Sequence, residues 1–218
     1  MKIVIQCSAN KKALAGYFAL NGRRVRFVAH PEYCEQTKAH VLCRPDDLIP
    51  STSMTWREHL LAYNACGDNP DRLLRSGSLY SPPAYQRLLN SVGSDNLFIL
   101  SAGWGLIRSD FLLPDYDITF SSQAAPWKRR TKHDLFCDFV HLTQANIACD
   151  ETLYFFGGRE YLPLYYKLTR CLVARKVVYY VSARFITCDG FVYIKYDSSG
   201  TNWHYRCVSD FLNGRIEK

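Results

Sequence analysis

The sequence predicts an α/β fold: a mainly parallel central sheet flanked by helices, with a C-terminal β-hairpin and a short helix. Short apolar runs of strand character alternate along the chain with stretches of helical spacing. Three runs, Ile3-Val4-Ile5, Leu97-Phe98-Ile99-Leu100 and Leu153-Tyr154-Phe155-Phe156, end in small or glycine-bearing turns. No repeat or linker divides the 218 residues, so they read as one α/β domain, residues 1–218.

In order, Ile3 to Cys7 is a strand, and Ala13 to Leu20 a helix that Asn21-Gly22 terminates. Val25 to Ala29 is the next strand. His30 to Thr55, with Pro31, Pro45 and Pro50, is an irregular stretch too long for an ordinary connection. Thr55 caps a helix from Trp56 to Ala65, and Glu58 completes a capping box. A short helical piece covers Asp71 to Arg75, and Pro82-Pro83 opens a helix to Asn90. After the Phe98 strand a long loop runs to Pro126. Leu135, Phe139 and Leu142, spaced four and three apart, mark a helix from Lys128 to Ala145. The Leu153–Phe156 strand precedes a helix from Glu160 to Leu172 and a strand from Val177 to Val181. Asp189-Gly190 turns a hairpin between Phe185–Cys188 and Phe191–Tyr196, and a last helix begins near Ser209.

Hydrophobic residues make up 48% and charged residues 22% of the chain, the balance of an ordinary globular protein. No apolar run approaches the roughly 18 residues of a membrane span, and Met1 to Ile5 lacks a secretory layout. The expectation is a cytoplasmic protein with no membrane partner. Nine cysteines at irregular spacing read as reduced thiols, with Cys7, Cys137 and Cys171 in or beside apolar segments. The net charge of +7 suits an anionic partner. It is concentrated at Arg23-Arg24-Val25-Arg26 and at Lys128-Arg129-Arg130, where Trp127 adds a ring of the kind that stacks on bases.

In a parallel sheet, the turns after the first, third and fourth main strands share one edge, where such folds hold ligands. Ser8, Asn10 and Lys11 lie in the first turn and Ser101, Gly103 and Trp104 in the next. Gly103 and Gly105 permit close approach of a ligand or another chain; a tight turn with Trp104 as a core plug is the alternative. Asp115 and Asp117 flank Tyr116, and Asp46-Asp47 is a rival source of carboxylates. A carboxylate about 4 Å from a developing sugar cation contributes about 4 kcal/mol at an effective dielectric of 20, close to a thousandfold in rate. One placed acid is therefore enough to matter in N-glycosidic cleavage. Candidate catalytic residues are Asp115, Asp117 and Asp47. Ser8, Asn10, Lys11, Tyr80, Ser101, Gly103, Trp104 and Tyr116 are candidates for binding substrate, and Lys128, Arg129 and Arg130 for phosphates. No cofactor is implied: neither a Walker loop nor a strand-associated Gly-x-Gly-x-x-Gly is present, and no Gly-x-Ser-x-Gly elbow points to a serine nucleophile. His30, Cys34, His40 and Cys43 have ligand types suited to zinc but not a finger spacing, and read instead as unlinked loop residues.

Leu100-Ser101-Ala102-Gly103-Trp104-Gly105-Leu106-Ile107, with Pro114-Asp115-Tyr116-Asp117, resembles the signature of the YaaA peroxide-stress family. Cys7-Ser8-Ala9-Asn10-Lys11 is similar to its N-terminal Cys-Ser-x-x-Lys turn, and Glu160-Tyr161 to a later helix start. Trp104 stands where the family has tyrosine, and Asp117 where YaaA has arginine. The resemblance implies association with DNA and with damage or stress responses. By analogy of fold it extends to base-excising glycosylases acting in repair or against phage DNA. The leading expectation is a DNA-directed N-glycosylase that flips a damaged or modified base into a pocket at the sheet edge. The alternatives are a non-catalytic DNA-binding stress protein and a small-molecule nucleoside or nucleobase enzyme.

Overall fold

A computed structural model describes residues 1–35, 38–148, 150–182, 184–198 and 200–217. The chain runs β1 (Lys2–Gln6), β2 (Ala19–Leu20), β3 (Arg23–Val28), β4 (His40–Cys43), α1 (Trp56–Cys66), β5 (Leu74–Arg75), α2 (Ser76–Leu79) and α3 (Pro83–Val92). Next come β6 (Leu97–Ser101), β7 (Gly105–Arg108), β8 (Leu112–Leu113), β9 (Tyr116–Asp117) and β10 (Phe139–Val140). The remainder is β11 (Thr152–Phe156), α4 (Leu162–Thr169), β12 (Arg175–Tyr180), β13 (Phe191–Lys195) and α5 (Trp203–Leu212).

The core is a seven-stranded sheet in the order β10-β7-β6-β1-β11-β12-β13. Strands β6, β1, β11, β12 and β13 are parallel, and β7 turns back antiparallel on β6. Successive side chains of β11 leave opposite faces. Phe155 stacks on Tyr165 of α4, while Tyr154 and Phe156 meet Phe211 of α5. A second sheet gathers β2, β4 and β9 on β3, and β5 pairs with β8. No helix among the described residues is long and apolar enough to cross a membrane.

The capping box forms as its residues dictate: Thr55 Oγ1 accepts from Glu58 N–H, Glu58 accepts from Thr55 N–H, and Gly67 closes α1 in the left-handed region. Several expectations fail. Ala13 to Leu20 is not helical, because Gly16 packs against backbone: a Cβ there would lie 2.3 Å from Asp71 O. Leu74–Arg75 is a strand, not part of a helix. Lys128 to Ala145 forms no α-helix. Leu135 is 96% exposed, and Asp134 and Asn146 instead accept the backbone N–H groups of Thr131 and Thr143. No C-terminal hairpin forms: Gly190 makes a left-handed turn (φ +82°), but β13 pairs in parallel with β12. Phe185–Cys188 is not a strand, and the Cys188 N–H goes to the Tyr193 hydroxyl. The last helix begins at Trp203, earlier than expected. Cys7 is buried but Cys137 and Cys171 are exposed, and Cys149 lies outside the described residues.

Candidate active site

Because β1, β11 and β12 run in parallel, the chain leaves all three at one edge, and there a cleft of about 650 Å³ opens. Gln6 to Ala9 and Asn10 form one side, and Gly157 to Tyr161 the next. Tyr180 and Phe185, the start of α5 (Trp203, His204, Tyr205) and the segment Thr119 to Gln123 complete it.

Its floor is polar and tightly bonded. The Gly158 N–H donates to Gln6 Oε1 at 2.6 Å, and Gln6 Nε2 lies 3.4 Å from His204 Nε2. Cys7 Sγ and the Tyr161 hydroxyl are 3.2 Å apart, and the Ala102 N–H approaches the same sulfur at 3.5 Å. Burial draws His204 down to about 4, so its imidazole is neutral at pH 7. Burial also pushes the Tyr161 phenol well up, keeping it protonated. Glu160 is the one carboxylate lining the cleft among the described residues. Its side chain is 40% exposed, beside Arg159 Nε at 3.5 Å. It folds back over the turn: a Cβ at Gly158 would lie 3.2 Å from Glu160 Oε2 and 3.5 Å from Gln6 Oε1.

The structure sorts the expected residues differently from the sequence. Ser8 and Asn10 line the cleft, the Asn10 N–H bonding Ser8 Oγ at 3.1 Å. Behind the floor, out of reach of a ligand, Tyr80, Tyr116 and Ser101 form a buried hydroxyl chain. Tyr80 and Tyr116 are 2.8 Å apart, and Ser101 Oγ donates to Tyr116 at 2.9 Å. Lys11 Nζ donates to Tyr116 O at 2.5 Å over the tyrosine ring. Burial lowers its pKa, and Lys11 follows a bend rather than opening a helix. Trp104 is 0% exposed, edge-on to Phe27 and stacked on Phe139, so it is a core plug and not a base-stacking platform. Gly103 faces Ile118 and Tyr116, not a ligand.

The nominated acids are occupied elsewhere. Asp115 pairs with Arg24 at 2.6 Å, and Asp117 with Arg26 at 2.5 Å and Lys128 at 3.0 Å. Asp47 accepts the Arg44 N–H at 2.7 Å and closes a loop. Arg130 is 4% exposed and bidentate to Asp138 at 2.7 and 2.8 Å, a packing role that leaves nothing for a phosphate. Arg129 reaches Ser122 O at 3.4 Å, on the cleft rim. His30 sits between Glu32 and Asp134, and the Cys34 thiol turns to the His30 carbonyl. The turns carrying Lys11, Ser101 and Tyr116 do meet, but in the interior, and of Asn10, Trp104 and Asp117 only Asn10 lines the cleft. Glu160 lay in a turn whose position at the strand edge was legible, but no spacing pointed to Gln6 or His204.

No protein-family model, curated protein or solved structure matches this chain. The likeness to the YaaA family therefore stands on the quoted motifs alone.

Proposed function

We propose that the cleft binds one nucleoside unit and that the chain hydrolyses its N-glycosidic bond: the C1′–N bond breaks, water adds its oxygen to C1′ and its proton goes to the departing base, with Glu160 as the carboxylate beside the developing sugar cation. The observation that carries this is a nucleoside-sized cleft at the carboxyl edge of parallel strands, walled by Tyr180, Trp203 and Tyr205 and holding that single acid. The rings offer faces for a base. Ser8 and Asn10 offer hydrogen bonds to the sugar, and Glu160 is open enough to meet it.

The geometry favours a free nucleoside, the small-molecule alternative, because Lys128 and Arg130 are neutralised by Asp117 and Asp138. Arg129 on the rim and the net charge of +7 favour a second reading, the DNA glycosylase. There the same pocket takes a base flipped from DNA, in the repair, stress or anti-phage setting that the YaaA resemblance implies. The test offers free nucleosides, normal duplexes and hypermodified duplexes, and measures released base by chromatography. Glu160→Gln is expected to lower turnover about a thousandfold while leaving ligand binding in place. Full turnover in that variant, or no base released from any substrate, overturns the proposal. DNA binding without release would leave the non-catalytic stress protein.

A further inference from the structure

Gln6 and His204 on the cleft wall form a hydrogen-bond chain whose direction is fixed, and that direction states what the ligand brings. The Gly158 N–H can only donate, so the 2.6 Å bond holds the Gln6 carbonyl oxygen on that side. The Gln6 NH2 group then faces His204 Nε2 at 3.4 Å. An amide NH2 only donates, so His204 Nε2 is the acceptor. A neutral imidazole carries one proton, which must therefore sit on Nδ1. The neutral form is the one present near pH 7, since burial draws this histidine to about 4.

His204 is 3% exposed, and its Nδ1 has no hydrogen-bond partner among the described residues. A buried donor left unmet is costly, and a ligand that meets it recovers that cost as affinity. The ring of Tyr205 packs on this histidine, with centroids 4.0 Å apart, and also lines the cleft.

We propose that the His204 Nδ1–H is a recognition donor for a ring carbonyl oxygen, making the cleft selective for oxo-bases of the hypoxanthine, guanine or uracil type. An amino group in the same position would set donor against donor. This inference rests on the cleft being the nucleoside site, and deepens that reading by naming the substrate class.

Calorimetric titration of the full chain at pH 7 compares inosine with adenosine, and uridine with cytidine. The oxo member of each pair is expected to bind about tenfold or more tightly. His204→Phe keeps the ring volume and is expected to bring the two members of each pair within about twofold. Nitrogen-15 NMR of His204 in the unsubstituted chain is expected to show a protonated Nδ1 and a bare Nε2, a readout independent of whether the variant folds. Equal binding of oxo and amino partners, or a proton on Nε2, overturns this inference and leaves the nucleoside site standing. Failure of all four nucleosides to bind overturns the nucleoside reading and this inference with it.

Discussion

Gly105 and Gly103, two residues apart beside Trp104, should respond very differently to alanine. Gly105 has φ +94°, a region where an L side chain costs about 1–2 kcal/mol. A Cβ there would also lie 2.5 Å from Phe139 O and 2.7 Å from Phe139 N, both backbone atoms that cannot swing aside. Relief requires β10 to withdraw from β7, losing the bonds Phe139 N–H to Trp104 O and His141 N–H to Leu106 O, both 2.8 Å. At about 1 kcal/mol each, with a similar loss from the Trp104–Phe139 ring contact, the total is about 4 kcal/mol. For a chain of this size that is a fall in Tm of about 10 °C. At Gly103 the nearest atom is the end of the Ile118 side chain at 3.0 Å, with no left-handed backbone. Gly103→Ala should cost under about 1 kcal/mol. Thermal and urea unfolding of the two variants measures the contrast. A Gly105→Ala chain melting within about 2 °C of the parent would refute the claim that a neighbouring strand, not a ligand, needs this glycine.

The buried Arg130–Asp138 pair gives a second prediction: Asp138→Asn strands the guanidinium and should cost about 3 kcal/mol in urea unfolding, with activity per folded molecule unchanged. The acid limb of the stability curve gives a third. Burial pushes the Asp117 carboxyl up, but the hydrogen bonds and positive charges of Arg26 and Lys128 together outweigh it and hold the group below the usual range. Its contribution is therefore complete above the unfolded value of about 4 and is lost as pH falls through the lower folded value. Asp117→Asn should flatten the decline of stability below about pH 4; an unchanged slope would sink the assignment. These join the turnover loss in Glu160→Gln and the oxo-base preference lost in His204→Phe.

Local rules of the chain were readable where one side chain decides the outcome. Thr55 with Glu58 named the start of α1, and the apolar runs at Ile3, Phe98 and Tyr154 named three adjacent strands of the sheet. Spacing misled where tertiary contact decides. Leu135, Phe139 and Leu142 keep helical intervals, yet Leu135 faces solvent, Phe139 pairs with Gly105 and Leu142 is in the core. Asp189-Gly190 does turn the chain, but the partner of Phe191 is Lys176 on a parallel strand. At the site, the edge that gathers ligands followed from the parallel runs, and Ser8 and Asn10 with it. Which acid faces the cleft did not follow, because Asp115 and Asp117 are taken by arginines on β3, a strand whose place in a second sheet no local pattern reveals. His204 reaches Gln6 only through the packing of α5.

Strand β1 draws both of its neighbours from far down the chain, Val4 lying beside Phe98 on one side and Phe155 on the other. A ribosome releases β1 long before either partner exists. Its apolar row then waits unpaired, because contacts of such sequence separation close slowly. Unpaired edges of this kind invite association with other nascent chains. Translation speed and chaperone supply should thus affect the yield of this protein in a cell.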